Sequence, residues 1–556
     1  MKMSFSTLVL GSLPAGMAST QTTTLNTVGW NPDTLQDIRN LLAGDSLPEW
    51  AQGAKDMLSS EAASRMSLPG RREGVGTGPW TVGGQGPDPP ADGTSTSHDY
   101  HTVSGYYWPC YATCPSKFTH CAQGWDQDLH DGECDAASGI PWIKHDGFLR
   151  DENLEDLYTM INMMDTAEVL ALAWWLLPEH DVTYAQTAVE VLGAWFWDES
   201  TGMEPRLEYG GAQPGIYNGT AGASIAFSYR LGTRLSDTME LLKTADADVW
   251  TAADAAGWAD WSGRWVEWMT TSEFGRIELG AVGNHATFLY SHKLAMAKAT
   301  GDDALVLDVV AGLRTREAGS LAWQIEPSGE MPIETARPTS KTYSIMNLNG
   351  LFLLGVAVEN ACRGLSCSSD WDWSWEVTSE TSGEWDAYEN TVAGCKWKET
   401  ISNPSTVQDC KTSCLEHAEC NAVVSRQTEK YGLYQCYLQK CLGTAYDHSA
   451  TDPPTQPWDW KWTSHHYVAP PEVGTGSVRK ALDFVLPYAT GSKSWSEDFP
   501  YSLDGSNTSR DLALPLRIAA GKYDDYAYEA DISLVDPLDW FSYTFDSLLF
   551  PPPGSL

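Results

Sequence analysis

Basic residues are scarce in this chain. Its 556 residues include 35 Lys and Arg against 74 Asp and Glu, a formal net charge of −39. That balance excludes nucleic acid as a partner, because a phosphate backbone is held by a basic surface. Long apolar runs are also missing. None approaches the roughly 20 residues that cross a bilayer, and the longest apolar helical stretch, around Val169–Leu177, is far shorter. Several catalytic signatures are absent as well: there is no GxSxG elbow, no HExxH, no P-loop and no glycine-rich dinucleotide turn. The enzyme classes built on those motifs are set aside.

What is present suffices for a large core, since 42% of the residues are hydrophobic and the length allows more than one domain. Residues 1–20, MKMSFSTLVLGSLPAGMAST, carry one Lys, a short apolar stretch and then small residues. This is the layout of a secretory signal, so the chain is expected outside the cell. Twelve cysteines, an even number gathered in clusters, read as disulfides made in an oxidising compartment and leave no thiol nucleophile. Asn218 and Asn507 head sequons and are glycosylation candidates.

Cys110, Cys114, Cys121 and Cys134 are separated by three, six and twelve residues. Two disulfides in a loop are expected, with the pairing open. Zinc is the rival reading, but no CxxC pair supports it. Residues 22–66 read as helical, and the Gly/Pro-rich stretch Gly74–Gly93 reads as a loop that offers no core. From about 152 to 359 the three- and four-residue apolar spacing predicts helix after helix: Leu154–Leu177, Tyr184–Phe196, Leu235–Lys243, Ala253–Met269, His285–Thr300 and Ala304–Arg314. It resumes at Val478–Leu486 and Asp511–Ala520. Antiparallel helix pairs follow, as a bundle or a helical toroid.

Residues 367–470 differ, being rich in Trp, Thr, Ser and Cys. Trp371-Asp372-Trp373-Ser374-Trp375 enters and Trp458-Asp459-Trp460-Lys461-Trp462 leaves. Alternation puts each set of Trp on one strand face, and the two segments are expected to pair as an antiparallel stalk. QDCKTSCLEHAECNAVV and YQCYLQKC, within Thr391–Thr444, resemble the PAN/apple family of disulfide-bonded modules, which bind proteins or carbohydrates. That resemblance implies the bridges Cys395–Cys441, Cys410–Cys436 and Cys414–Cys420. Cys362 and Cys367 are further disulfide candidates.

Two segments could carry chemistry. Gly283-Asn284-His285-Ala286-Thr287-Phe288 opens a helix, and an Asn-His pair there is also what a plain cap looks like. In GEMPIETARPTSKTYSIMNLNGLF, Glu334, Arg337, Lys341 and Tyr343 precede an apolar helix, which also fits a surface turn before a core helix. Together the segments suit β-elimination from a 4-linked uronate. That reaction removes the C5 proton, stabilises charge moving onto the carboxyl group and protonates the departing O4. Asn284 and Arg337 suit the charge, and His285 and Tyr343 suit the protons.

GNHATF and PIETARPTSKTYSIMNL resemble the Asn-His helix start and the Glu-x-x-Arg…Tyr segment of the alginate lyase superfamily. HDYHTVSGYYWP, GIPWIKHDG, DTAEVLALAWWLL, AWFWDESTGMEPRLEYGGAQPG and SVRKALDFVLPYA resemble further segments of it, in order along about 45–360 and 475–530. The resemblance implies a mainly α chain. An (α/α) toroid would span 21–366 and 471–556, interrupted at 367–470 by a small disulfide-rich α+β PAN/apple-like domain. It implies elimination without metal or cofactor on an anionic polysaccharide, alginate rich in mannuronate or glucuronan.

Under it, Asn284 and Arg337 neutralise the sugar carboxylate, and His285 is the base or orients the reacting centre. Tyr343 is the acid, and on mannuronate also the base. Tyr106, Tyr107, Trp108, His98, Tyr100, Gln213, Glu334 and Lys341 are the expected sugar-binding residues. Gly211 stands where the family pattern has Gln, and Thr220 where Arg is common, so the substrate stays open. A glycoside hydrolase using carboxylates such as Asp146, Asp165 and Glu334 is the alternative. A catalytically silent glycan-binding protein is another.

Overall fold

Apolar residues at helical spacing become helices almost wherever they occur. The structure is a computed structural model. It describes residues 25–67, 80–83, 96–118, 121, 134–135, 137–140, 142–145, 147–214, 225–272, 274–275, 283–313, 321–335, 337, 339–367, 476–498, 509–536 and 546–556, and the backbone of the strands between 375 and 475. The leader-like residues 1–20, Asn218, Asn507 and Thr220 lie outside the described residues.

The predicted helical stretch at 22–66 is corrected to two helices, α1 (Pro32–Leu42) and α2 (Glu49–Ser67), with Pro48 just ahead of the second. Next come α3 (Glu155–Leu176), α4 (Val182–Phe196), α5 (Ile225–Leu231), α6 (Arg234–Leu242) and α7 (Ala252–Thr271). They are followed by α8 (Asn284–Thr300), α9 (Asp303–Gly312), α10 (Leu321–Gln324), α11 (Pro332–Thr335) and α12 (Ser340–Ala361). After the strand-rich segment come α13 (Val478–Ala489), α14 (Trp495–Asp498), α15 (Ala513–Tyr523), α16 (Tyr526–Val535) and α17 (Asp546–Leu549).

Two kinds of helix alternate. In α3, α8 and α12 most residues are buried, whereas α1, α9 and α16 bury single stripes such as Leu35, Ile38 and Leu42, or Val306, Val309 and Val310. A helix buried on all sides is an inner element, and one with a single stripe packs outside it. The chain is thus mainly helical, as the apolar spacing predicts. Short polar caps turn the chain between partners: Asp181 accepts from Thr183 N before α4, and Asp302 accepts from Leu305 N before α9.

The apolar interior forms two clusters, and α8 supplies residues to both, Leu289 and Met296 to one and Leu294, Ala295 and Ala297 to the other. Trp80 and Val82 are buried in the first cluster. That corrects the expectation that the 74–93 stretch gives nothing to the core. Asp237 on α6 ties the N-terminal segment to the helices by accepting from Val28, Gly29 and Trp30 N at 2.6, 2.7 and 3.1 Å.

Cysteines 110 and 134, and 114 and 121, form disulfides, as do Cys362 and Cys367. Sulfurs bonded in pairs remove the zinc reading. Among the described residues no helix is long and apolar enough to cross a membrane.

Ahead of α3 a two-stranded ladder pairs β1 (Tyr107–Trp108) with β2 (Ile143–Lys144). In the strand-rich segment, β3 (Trp375–Val377) pairs with β9 (Gly474–Gly476). Between them β4 (Glu384–Glu389), β5 (Trp397–Ser402), β6 (Ala422–Thr428), β7 (Gly432–Lys440) and β8 (Trp460–Val468) form one antiparallel sheet in the order β4-β8-β6-β7-β5.

The expected Trp stalk is corrected. Trp375 faces Gly476, and Trp460 and Trp462 face Thr428 and Arg426. Alternation fixes a strand's faces but not its partner, and β8 lies inside the sheet with both edges filled. The remaining bridges proposed for 395–441 fall outside the described side chains.

On α7, Trp258, Trp261, Trp265 and Trp268 recur at helical spacing and stack with interplanar angles of 13°, 15° and 15°. The ladder is pinned by polar contacts. Trp261 donates to Met203 O, Trp268 to Glu208 Oε1, and Trp265 to His292 Nε2 on α8 at 2.8 Å.

Burial holds His292 well below its ordinary range, at about 4, while the Gly232 carbonyl beside its other nitrogen pulls the opposite way. The folded chain keeps this ring neutral where the unfolded chain would protonate it. Its stabilising effect is therefore present above the ordinary value of 6.5 and is lost as pH falls toward 4. At pH 5 the loss is about 2 kcal/mol. Denaturant titrations of wild type and His292→Gln at pH 7 and pH 5 should show the stability gap narrowing by about that amount. A pH-independent gap would contradict a neutral buried ring.

Candidate active site

The N-termini of α8 and α12 meet at one turn. Gly283 precedes α8 with φ 65° and ψ −143°, a conformation that glycine tolerates and side chains do not. Its lack of a side chain also lets the next turn approach: a methyl there would lie 2.5 Å from Glu334 Oε1 and 2.7 Å from Ile333 Cγ2. Asn284 is then the first helical residue. Its backbone N–H donates to Glu334 Oε1 at 2.6 Å, and its amide Nδ2 donates to both Glu334 oxygens at 3.1 and 2.9 Å.

Glu334 is fully buried on α11. Burial pushes its carboxyl above the usual range, while Arg337, the Asn284 N–H groups and His285 pull it down. Arg337 follows one turn later, its N–H donating to Glu334 O at 3.1 Å. Its Nη2 donates to the Tyr343 hydroxyl at 2.9 Å, and the guanidinium lies over the Tyr343 ring at 3.9 Å. The Tyr106 hydroxyl reaches the same oxygen at 2.7 Å. One short turn thus joins Asn284 to Tyr343 through Glu334 and Arg337, and His285 is half-buried beside it.

Behind this surface lies a polar network that sequence reasoning missed. Gln324 Oε1 accepts from Thr287 Oγ1 and from Asn347 Nδ2, both at 3.1 Å, and all three residues are buried. Thr287 is three residues after Asn284 and Asn347 four after Tyr343, so Gln324 ties α8 to α12 just beneath the candidate residues. A signal was present: each is a polar residue on an otherwise apolar helix face, one turn in from a candidate residue. Gly350 lets these helices close up, since a methyl there would meet Phe288 and Thr287 within 3 Å.

A model of the alginate lyase family matches residues 91–366. The chain belongs to that family. Among solved structures, an alginate lyase from Bacteroides ovatus matches with a TM-score of 0.59 at 20% identity, covering 95% of this chain and 99% of its own. Comparison with curated protein sequences found no match. Family membership makes this chain a polysaccharide lyase, and the likeness in structure is one of fold.

Against the sugar-binding set expected for an alginate lyase family member, the structure divides the residues. Tyr106 is half-buried at the Tyr343 hydroxyl. Tyr107 and Trp108 belong to the interior at 4% and 7% exposure, and the Trp108 indole donates to Phe148 O. Tyr100 is corrected to a core residue, 2% exposed and edge-on to Phe227. Glu334 is likewise corrected: it supports Asn284 from behind and offers no surface to a sugar.

His98 sits on Gly202 O, and Lys341 Nζ donates to Ser509 Oγ at 3.2 Å. Gly211, at φ 73°, donates its N–H to Thr102 Oγ1, so the position where Gln was expected is a backbone turn. Two residues on, Gln213 keeps a buried side-chain oxygen with no hydrogen-bond partner among the described residues.

Gly283→Ala tests how much the site depends on close approach. Strain of about 1–3 kcal/mol is expected, with a retained fold. Elimination should fall at least about tenfold as Glu334 and Asn284 are forced apart. Denaturant melts and initial rates check this, and an undiminished rate would show that the contact is dispensable.

Proposed function

We propose that this polysaccharide lyase opens a 4-linked uronate glycan, alginate rich in mannuronate or glucuronan, by β-elimination at Asn284, His285, Arg337 and Tyr343. The observation that carries the reading is the Tyr343 hydroxyl, held at 2.9 Å by Arg337 one turn from the Glu334–Asn284 pair. Two long helices direct their positive N-terminal ends at this place. A sugar carboxylate there meets the Arg337 guanidinium and the second Asn284 amide hydrogen. The charge that moves onto it as C5–H breaks is stabilised by donors already in position.

The chemistry then follows from what each group can hold. Tyr343 or His285 takes the C5 proton, the C5–H electrons form the C4=C5 bond, and the C4–O4 bond breaks. Tyr343 returns a proton to O4. On mannuronate, where proton and leaving group lie on one face, Tyr343 does both. A hydrolase finds less support, since of its carboxylate candidates Asp165 is ion-paired to Arg234 and Glu334 is buried against Asn284.

Disulfides outside the strand-rich segment fit an oxidising, extracellular setting. We read residues 367–470 as an inserted PAN/apple-like module that holds a glycan or a protein. Its five-stranded antiparallel sheet supports this reading.

Polymannuronate, polyguluronate, glucuronan and hyaluronan, followed by the ultraviolet absorbance of the unsaturated product, test the function. Absorbance should grow on the first or third polymer, and reducing ends appearing without it would refute elimination. Tyr343→Phe should lower turnover by at least about a thousandfold, with glycan binding retained. Normal turnover by that variant would remove Tyr343 from the mechanism.

A further inference from the structure

We propose that Tyr106 is a positioning residue that sets the pH range over which Tyr343 serves as base. The inference rests on reading Tyr343 as the base for the C5 proton, and it deepens that reading.

Two described groups meet at the Tyr343 oxygen. Arg337 Nη2, at 2.9 Å, is only a donor. The Tyr106 hydroxyl, at 2.7 Å, can donate or accept. While Tyr343 is protonated, the two phenols share one hydrogen bond in either sense. Once Tyr343 is an anion, Tyr106 can only donate to it, alongside Arg337. Hydrogen bonds to the charged form favour that form. Tyr106 therefore acts on the step in which Tyr343 must lack its proton.

The phenol is not free to drift. His145 N donates to Tyr106 O at 2.8 Å, and Arg150 N donates to Gly105 O at 2.8 Å. Asn153, buried just ahead of α3, donates from Nδ2 to Ser104 O at 3.0 Å and to Tyr107 O at 2.9 Å, gripping the chain on both sides. Among the described residues, the same turn and the two helix starts also carry His285 on α8, Glu334 on α11 and Lys341 on the helix of Tyr343. Lys341 is engaged with Ser509, and Glu334 with Asn284. Tyr106 is a neutral group that touches the Tyr343 oxygen directly.

In the reaction, anionic Tyr343 takes the C5 proton as C4=C5 forms and C4–O4 breaks. It passes that proton to O4 and returns to the anion. The Tyr106 proton stays on Tyr106 throughout.

The test is Tyr106→Phe in the full chain on polymannuronate, with kcat and KM measured by product absorbance from pH 5 to 10. Removing the donor should move the acidic limb of kcat upward by about one pH unit. Turnover near neutrality should then fall about tenfold and recover toward the wild-type value at alkaline pH, with KM within about twofold. A uniformly lower kcat with an unmoved limb would overturn the proposal in favour of a merely structural role. A raised KM with unchanged kcat would overturn it in favour of a sugar subsite. An unmoved limb beside an active wild type sinks the role of Tyr106 alone, whereas a wild type that forms no unsaturated product sinks the lyase mechanism as well.

Discussion

A carboxylate with no access to water organises this site. Glu334 is fully buried, and an ionisable group in that position is tolerable only if donors meet its oxygens. Asn284 supplies them from backbone and side chain, so the first residue of α8 is held in one orientation. The contact is close enough that only glycine fits at 283. The turn that brings Glu334 inward then carries Arg337 toward Tyr343. Burial of a single side chain thereby couples two helix starts that lie some 60 residues apart in sequence.

That coupling needs a stiff background. Most of α8 and α12 is buried, and Gln324 joins them through Thr287 and Asn347 one turn below the surface. On the other flank, α8 is fixed to α7 through the Trp265–His292 contact within the Trp ladder. Each link is a buried polar group with a partner, and breaking one leaves the other unsatisfied in an apolar interior. Side chains carried on such helices have little freedom left to lose when a ligand arrives.

The helices were readable in the sequence because burial on one face imposes a three- and four-residue period, and α3, α4 and α7 to α9 begin and end close to where that period does. Asn284, His285, Arg337 and Tyr343 were grouped in the sequence through chemistry and family resemblance, since each segment alone had a plain structural explanation, and the fold brings the two segments together. Burial was not readable. Tyr100, Tyr107 and Trp108 look like a sugar platform, yet whether an aromatic faces a cleft or a core depends on residues far along the chain, such as Phe227 against Tyr100. Glu334 was misread for the same reason. Strand partnership was hidden as well: the alternating Trp of β8 specify two faces, while the sheet order decides that Thr428 and Arg426 lie opposite.

The formal charge of −39 is at odds with a polyanionic substrate only if charge is averaged over the molecule. In salt, exposed charges more than about 10 Å away are largely screened, whereas groups inside a partly buried site are not. Acidic side chains elsewhere are partly neutralised in pairs, as where Arg234 meets Asp165 and Glu168, and Arg206 meets Asp99. At the site itself, Arg337, His285 and two helix N-termini converge, and Glu334, an acidic side chain among these described residues, faces inward onto Asn284. Turning Glu334 away from solvent removes a repulsion while keeping its oxygens as anchors for the amide. The same buried carboxylate thus holds the geometry and, on the proposed reading, leaves the surface clear for an anionic sugar.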